Sequence, residues 1–396
     1  MRHRGFAVIL VGVLVAAGGF AGAEDPRPVA RPYDDGPAWG EVSYRPALPE
    51  RAVESIPIMM LTEHILAMQC GNGGFGWPHG DCSQTFHNIT GPILLGVLGG
   101  YEHSRDGFHL VGVVNGGVYD MTSQYDNGEA RFGSFMPYFL MHVARASQNV
   151  TFSEHVSNEL FDELAAGTYG PNDRDTAGWI GDIQALRTGQ WINIRPWELH
   201  TLIPAAMALG QPGQAALFEQ GVLDGLGTLD RTSPSNVYLD ILGVAAGVRG
   251  LAFARLLGFP AISAPLHSGV DGVDSLETLA AYLASLQNPD GSWYRHSNLP
   301  SPTDSDKETQ TTAYAALALL KADLLTAASY APAYEAARDW LVSMQLPGGG
   351  IPSYPGGSEN VQVEGEALTA IAAVEALLFL DGFESGTTDL WSSVTP

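Results

Sequence analysis

Five short apolar segments of this chain open on a hydroxyl residue, and three positions before each opening stands a polar side chain. The segments are TGPILLGVL from Thr90, SFMPYFLMH from Ser134, TLIPAAMAL from Thr201, TAYAALALL from Thr312 and TAIAAVEAL from Thr369, and the preceding residues are His87, Arg131, Glu198, Thr309 and Glu366. Residues three apart share one face of a helix, so each polar group would lie directly above its Thr or Ser. Helices arranged about a common centre would then carry one polar layer at one end of it, with Asp126, Glu129, Arg195, Trp197, His200 and Glu364 close by in sequence. Charged groups are seldom lodged inside a fold without partners or a task. A Glu in a first helical turn can also serve only the helix dipole, and a Thr only a cap, so the layer has a structural reading beside the chemical one.

Two carboxyls facing across a cavity beside aromatic rings suit glycoside hydrolysis, in which one protonates the leaving oxygen and the other activates water. Glu198 and Glu366 make that pair, with Glu129 as the substitute, and His87, Asp126, Arg131, Arg195, Trp197, His200 and Glu364 are the substrate-binding candidates. With inner helices about 10 Å apart in a six-membered ring, two opposed Glu side chains approach to roughly 6 to 8 Å. That overlaps the roughly 6.5 to 9.5 Å of inverting enzymes. Trp197, Tyr125, Trp191 and Trp179 could stack on sugar rings or fill the core.

The elements that must position these groups are helical throughout. PAYEAARDWLVSMQ (332–345) and SLETLAAYLASLQ (275–287) place apolar residues at the spacing of a one-sided helix. Each is followed by a glycine turn and then by a segment apolar nearly all round, hence a buried helix. The pairs of outer and inner helices are 55–68 with 86–99, 107–119 with 129–147, 153–166 with 197–209, 212–226 with 236–256, 274–287 with 308–325, and 332–345 with 362–380. Each unit leaves its inner helix half covered and must stack on its neighbours, and six such units can close into a ring instead of leaving bare ends. The expected fold is all-α, an α/α toroid over residues 51–380.

Gln, a Gly-rich turn, a large apolar residue and an inner helix opening with Thr resemble the repeat of the terpenoid cyclase and protein prenyltransferase α/α-toroid superfamily. The likeness is clearest in QCGNGGFGWPHGDCSQTFHNIT, QNPDGSWYRHSNLPSPTDSDKETQTT and QLPGGGIPSYPGGSENVQVEGEALT, and it spans about half the chain. It concerns the repeat rather than an active site. The DxDD motif that a squalene-type cyclase implies is absent, and among the residue types of prenyltransferase zinc ligands, Asp81 and Cys82 are adjacent rather than spaced, with His87 beyond. GGFGWPHGDCSQTFHNIT and YDNGEARFGSFMPYFLMHVAR are similar to the GGWP and DNG-containing helices of family 10 pectate lyases, which implies Ca²⁺ and a basic residue that abstracts a sugar proton.

Charge and termini narrow the setting. Against 43 acidic residues stand 19 basic ones, a formal charge of −24, which makes nucleic acid a poor partner. Arg2, His3 and Arg4 before an apolar run ending at AGA (21–23) read as a secretory signal peptide cut near Ala23, giving a secreted or periplasmic protein. Residues 24–50 form a proline-rich arm and 381–396 a short polar tail, and no later segment suits a membrane span. In an oxidising compartment Cys70 and Cys82 most simply form a disulfide, the alternative being a metal pair. NDRDTAGWIGD (172–182) offers Asn172, Asp173, Asp175 and Asp182 to calcium without EF-hand spacing, and a solvated loop is the simpler reading. The connection around it, 167–193, is long enough to be a lid.

The expected ligand is therefore a glycan or small molecule in the central cavity. A toroid that binds a ligand or protein without chemistry, a polysaccharide lyase, and a terpenoid cyclase or prenyltransferase-like enzyme remain open beside the hydrolase.

Overall fold

The computed structural model describes residues 55–122, 135–170, 173–187, 195–227, 230–233, 236–259, 272–297, 299 and 301–382. The expected leader (1–23) and arm (24–50), nearly all of the tail, and Tyr125, Asp126, Glu129, Arg131, Asn172 and Trp191 lie outside these residues.

Helices alternate between an outer and an inner layer. The outer ones are α1 (Ile56–Ala67), α3 (Gly107–Thr122), α5 (Thr151–Val156) continuing through a π turn (Ser157–Phe161) into α6 (Asp162–Ala166), α10 (Pro212–Leu226), α12 (Leu276–Ser285) and α14 (Ala331–Ser343). Inside them stand α2 (His87–Ser104), α4 (Met136–Ser147), the broken pair α8 (Arg195–Leu199) and α9 (Leu202–Ala208), α11 (Ile241–Leu256), α13 (Thr309–Asp323) and α15 (Val361–Gly382). Going round, α2 packs on α4, α4 on α9, α8 on α11, α11 on α13, α13 on α15, and α15 back on α2. The six expected hairpins are present, and the chain is a closed α/α toroid.

The inner layer is buried because its helices are apolar on every side. In α11 every residue from Ile241 to Ala254 is buried, as is every residue of α13 from Thr311 to Leu320. Where the ring closes, α15 and α2 approach so tightly that a Cβ on Gly365 would lie 2.3 Å from the Ile93 Cα, and one on Gly96 would lie 2.2 Å from the Gly365 carbonyl oxygen. Only glycine admits that contact.

The thrice-written turn is a lock between neighbouring outer helices. Gln69 donates its side-chain amide to the Gly73 carbonyl at 2.8 Å and to Gly112 of α3 at 2.9 Å. Gln287 donates to Gly291 at 3.0 Å and to Ala333 of α14 at 2.8 Å. Gln345 donates to Gly349 at 3.0 Å and to Pro57 of α1 at 3.0 Å. The three glycines have φ of +92°, +94° and +95°, so each is required for its backbone alone. The large apolar residue six positions after each Gln, namely Phe75, Trp293 or Ile351, is fully buried. Pairs five, six and one are consecutive in the ring, so the repeated motif forms one regular arc.

The other arc departs from the expected pattern in three places. Residues 236–239 are not helix: Asp230–Ser233 (β1) and Asn236–Leu239 (β2) form an antiparallel hairpin, and the inner helix starts at Ile241. The third inner helix breaks between Leu199 and Leu202, where Pro204 has no N–H to return to the carbonyl four residues back. The connection expected as a loop contains α7 (Thr176–Arg187), whose first turn is capped by Asp175 through its carboxylate and the Gly178 N–H at 2.7 Å. The Asp175 carboxylate, raised above as a calcium ligand, is thus a helix cap, and Asp173 sits in the turn before it with φ of +49°.

Cys70 and Cys82 form the expected disulfide in the first turn, with Cα atoms 5.5 Å apart. Among the described residues no helix is long and apolar enough to cross a membrane.

Candidate functional site

Three of the four aligned Thr residues have a common task. Thr90, Thr312 and Thr369 each return their hydroxyl to the carbonyl four residues back, of Phe86, Glu308 and Gly365, at 2.8, 2.8 and 2.9 Å. The polar residues three positions earlier do not share a task, and they divide into groups facing different ways.

Glu366 faces the neighbouring inner helix. Its carboxylate accepts from the Gln310 amide at 2.8 Å, from the Gln362 amide at 3.3 Å and from the Tyr314 hydroxyl at 3.3 Å. Burial is nearly complete and pushes its pKa to about 8, although the three hydrogen bonds pull the other way. A carboxyl in that position is largely protonated at neutral pH.

An aromatic cluster adjoins it. The Phe135 ring lies 4.6 Å from Trp197, 5.5 Å from His200 and 6.3 Å from Tyr314, and Trp197 lies 6.0 Å from Tyr314. Three sectors of the inner ring converge here: Phe135 at the start of α4, Trp197 and His200 from the third pair, and Tyr314 from α13. Glu198 follows Trp197 on α8 and is buried with it. The His200 Nδ1–H donates to the Trp197 carbonyl at 2.7 Å, which leaves Nε2 to accept from Arg249 at 3.3 Å. Burial and then the Arg249 charge hold the His200 pKa well below its ordinary value, so the imidazole is neutral. Burial and the nearby Glu366 raise the Tyr314 phenol well above its own.

Arg295 ties the layer together. Its Nη1 donates to both Glu308 oxygens at 3.1 and 3.0 Å and to Gln310 at 3.3 Å, and its Nε lies 3.4 Å from Asp240. Burial opposes its charge, but Glu308 and Asp240 outweigh it and raise the guanidinium pKa. Asp240 also caps α11 through the Gly243 N–H at 3.4 Å, and the Arg295 carbonyl accepts from the Ile241 N–H at 3.0 Å. Gln310 then links this cation to Glu366. The fourth pair, which has no aligned Thr, joins the polar layer through Asp240.

The remaining sequence candidates lie elsewhere. His87 turns to α3, the outer helix of the second pair, with Nδ1 3.4 Å from Asp120 and its ring stacked at 4.3 Å on Tyr119. Burial lifts Asp120 to about 6 while His87 pulls it back. Glu364 points toward α1, accepting from the Ile351 N–H at 3.2 Å with His64 beside it, and does not join Glu366. Thr309 pins the sixth turn by donating to the Pro352 carbonyl at 2.6 Å. Trp179 is a core residue packed on Phe218. The backbone of Arg195 is in α8, and its side chain is outside the described set, as is that of Asp182. Sequence reasoning missed Arg295, Asp240, Gln310, Tyr314, Phe135 and Arg249.

No protein-family model matches the chain, and no curated protein matches it. Solved structures do. An unsaturated glucuronyl hydrolase specific for heparin superposes with a TM-score of 0.55 at 14% identity, covering 81% of this chain and 95% of that one. A polysaccharide lyase gives 0.52 at 13% identity, covering 84% and 100%. The α-1,6-mannanase of Salegentibacter sp. HEL1_6 gives 0.51 at 11% identity, covering 81% and 98%. None of the three bears the name of a terpenoid cyclase or of a family 10 pectate lyase, whose repeats the sequence resembles. The described toroid shares its fold with enzymes of glycan breakdown.

Proposed function

We propose that this protein cleaves a glycosidic bond, with Glu366 as proton donor and Glu198 as the carboxylate that activates water. The observation that carries this reading is the buried Glu366 carboxyl, pushed by burial to a pKa of about 8 and hydrogen-bonded to Tyr314, whose ring packs against those of Phe135 and Trp197. A general acid must hold its proton at working pH, and burial is what allows a carboxyl to do so. Glu366 gives its proton to the leaving oxygen as the anomeric C–O bond breaks. Glu198 takes a proton from water as its oxygen bonds to the anomeric carbon, so that one glycan and one water yield two sugars. Trp197 offers the ring face on which a sugar stacks. Glu129 is the substitute for Glu198, and Asp126, Arg131 and Arg195 are the remaining substrate-binding candidates. The fold's occurrence in hydrolases and a lyase of glycans supports the substrate class.

Both carboxyls are buried in this conformation, so a substrate must displace what covers them. The test is a panel of neutral and uronate-containing oligosaccharides assayed for new reducing ends and for the absorbance of unsaturated products, followed by Glu366→Gln and Glu198→Gln on any hit. Each variant is expected to lose about a hundredfold or more in turnover with an unchanged circular dichroism spectrum. Full turnover in both removes the pair. Tight binding of a glycan that is never cleaved would assign a recognition role instead.

A further inference from the structure

The ring's seam carries a second polar cluster that takes no part in the glycan reading. His64 of α1, Glu359 before α15 and Glu364 in its first turn place three ligand-type atoms within 4.8 Å of one another. His64 Nε2 lies 3.6 Å from a Glu359 oxygen and 3.6 Å from a Glu364 oxygen. These are poor distances for ion-pair hydrogen bonds, which close to about 2.7 to 2.9 Å. They match the edges of a tetrahedron about one ion: bonds of about 2.0 to 2.1 Å put two ligands about 3.4 Å apart.

Three further observations point the same way. His64 Nδ1 lies 3.0 Å from the Gly348 carbonyl, which can only accept; Nδ1 therefore carries the hydrogen and, in the neutral ring, Nε2 presents its lone pair to both carboxylates. Fixing a ligand histidine through its far nitrogen on a backbone carbonyl is the usual support of a metal site. The Glu364 side chain is fully buried, and its Oε2, like His64 Nε2, has no hydrogen-bond partner. An orphaned, buried carboxylate oxygen is costly unless something cationic meets it. Finally, Gly350 borders the cluster: a Cβ there would fall 2.7 Å from His64 Nε2 and 2.9 Å from a Glu359 oxygen, so its lack of a side chain keeps the space open.

We propose that His64, Glu359 and Glu364 bind a divalent transition-metal ion, Zn²⁺ by the chemistry of the set, and that the ion clasps the first outer helix to the last inner one. One imidazole and two carboxylates in so small a compass suit Zn²⁺, whereas Ca²⁺ takes six to eight oxygens at about 2.3 to 2.6 Å. Water can complete the fourth position from the partly exposed side of His64.

The full-length protein, stripped with EDTA and dialysed, is titrated with ZnCl₂ and separately with CaCl₂ by calorimetry, with thermal unfolding followed in parallel. The expected result is a single Zn²⁺ per chain, an unfolding midpoint raised by several degrees, and no response to Ca²⁺. His64→Ala and Glu359→Gln should each weaken Zn²⁺ binding at least about tenfold and abolish the thermal shift. Should His64→Ala not fold, Glu359→Gln decides, since that side chain is partly exposed. Absent Zn²⁺ binding, or binding of unchanged affinity in Glu359→Gln, overturns the proposal.

Discussion

The side-chain amide of Gln345 donates to the carbonyl of Pro57, 288 residues earlier, at 3.0 Å. The same chemistry that joins pair one to pair two and pair five to pair six here joins the last pair to the first, so the ring's closure uses the bond of its ordinary joints.

Gln345→Ala should therefore open the seam. It removes two side-chain hydrogen bonds, one of them across the seam, at a cost of about 1 to 3 kcal/mol. Urea unfolding should show a lowered midpoint, and hydrogen exchange should quicken in α1 while α13 keeps its protection. Unchanged exchange in α1 would mean that packing alone holds the seam.

Arg295→Met should destabilise more strongly, by about 3 to 5 kcal/mol, because Asp240 is left buried without the guanidinium and Glu308 loses its two bonds to that group, keeping only the one from the Thr311 hydroxyl. Adding Glu308→Gln should recover part of the loss. A single variant as stable as the parent would show that other groups already balance these carboxylates.

The pH dependence of stability should carry the mark of Glu366, whose pKa rises from an ordinary 4.5 to about 8 on folding. The folded protein then binds the proton more tightly than the unfolded chain. Its contribution is complete below about pH 4.5 and is lost as pH climbs through about 8, at up to roughly 1.4 kcal/mol per pH unit between. Glu366→Gln should flatten that slope in denaturant melts at a series of pH values. If Glu366 is the general acid, kcat/KM should also fall above about pH 8.

Peptide mapping without reduction should recover Cys70 and Cys82 in one linked fragment. Replacing both with Ser should cost about 3 kcal/mol, as expected for closing a short loop. Two freely alkylated thiols would contradict the structure.

What the sequence made legible follows from range. The helix hairpins could be read because apolar periodicity and the turn of Gln, Gly and a large apolar residue are local, and the three best copies proved to be neighbours in the ring. Glu366 was found because it kept its distance from Thr369. Arg295 was not, because it stands in an irregular turn and meets Asp240 and Glu308 only through the fold. Tyr314 and Phe135 look like any apolar wall residue until the third pair brings Trp197 and His200 against them. Helix α7 was hidden by Gly178, Gly181 and four acids or amides that mimic a loop, although Asp175 was a cap signal in plain view. Glu364 misled for a geometric reason: two residues from Glu366 on a helix is about 200° of rotation, which turns it toward the opposite face.

A closed ring also sets the order in which the molecule can be finished. Pro57 waits for Gln345, and Ile93 waits for Gly365, so a growing chain that has completed five hairpins still presents a bare flank on α1 and α2. No shorter version of the circle exists for it to rest in, unlike an open array that can stop at any repeat. The sixth hairpin is thus the one that converts a sticky crescent into a closed ring, and a premature stop within it would leave an aggregation-prone product rather than a smaller toroid.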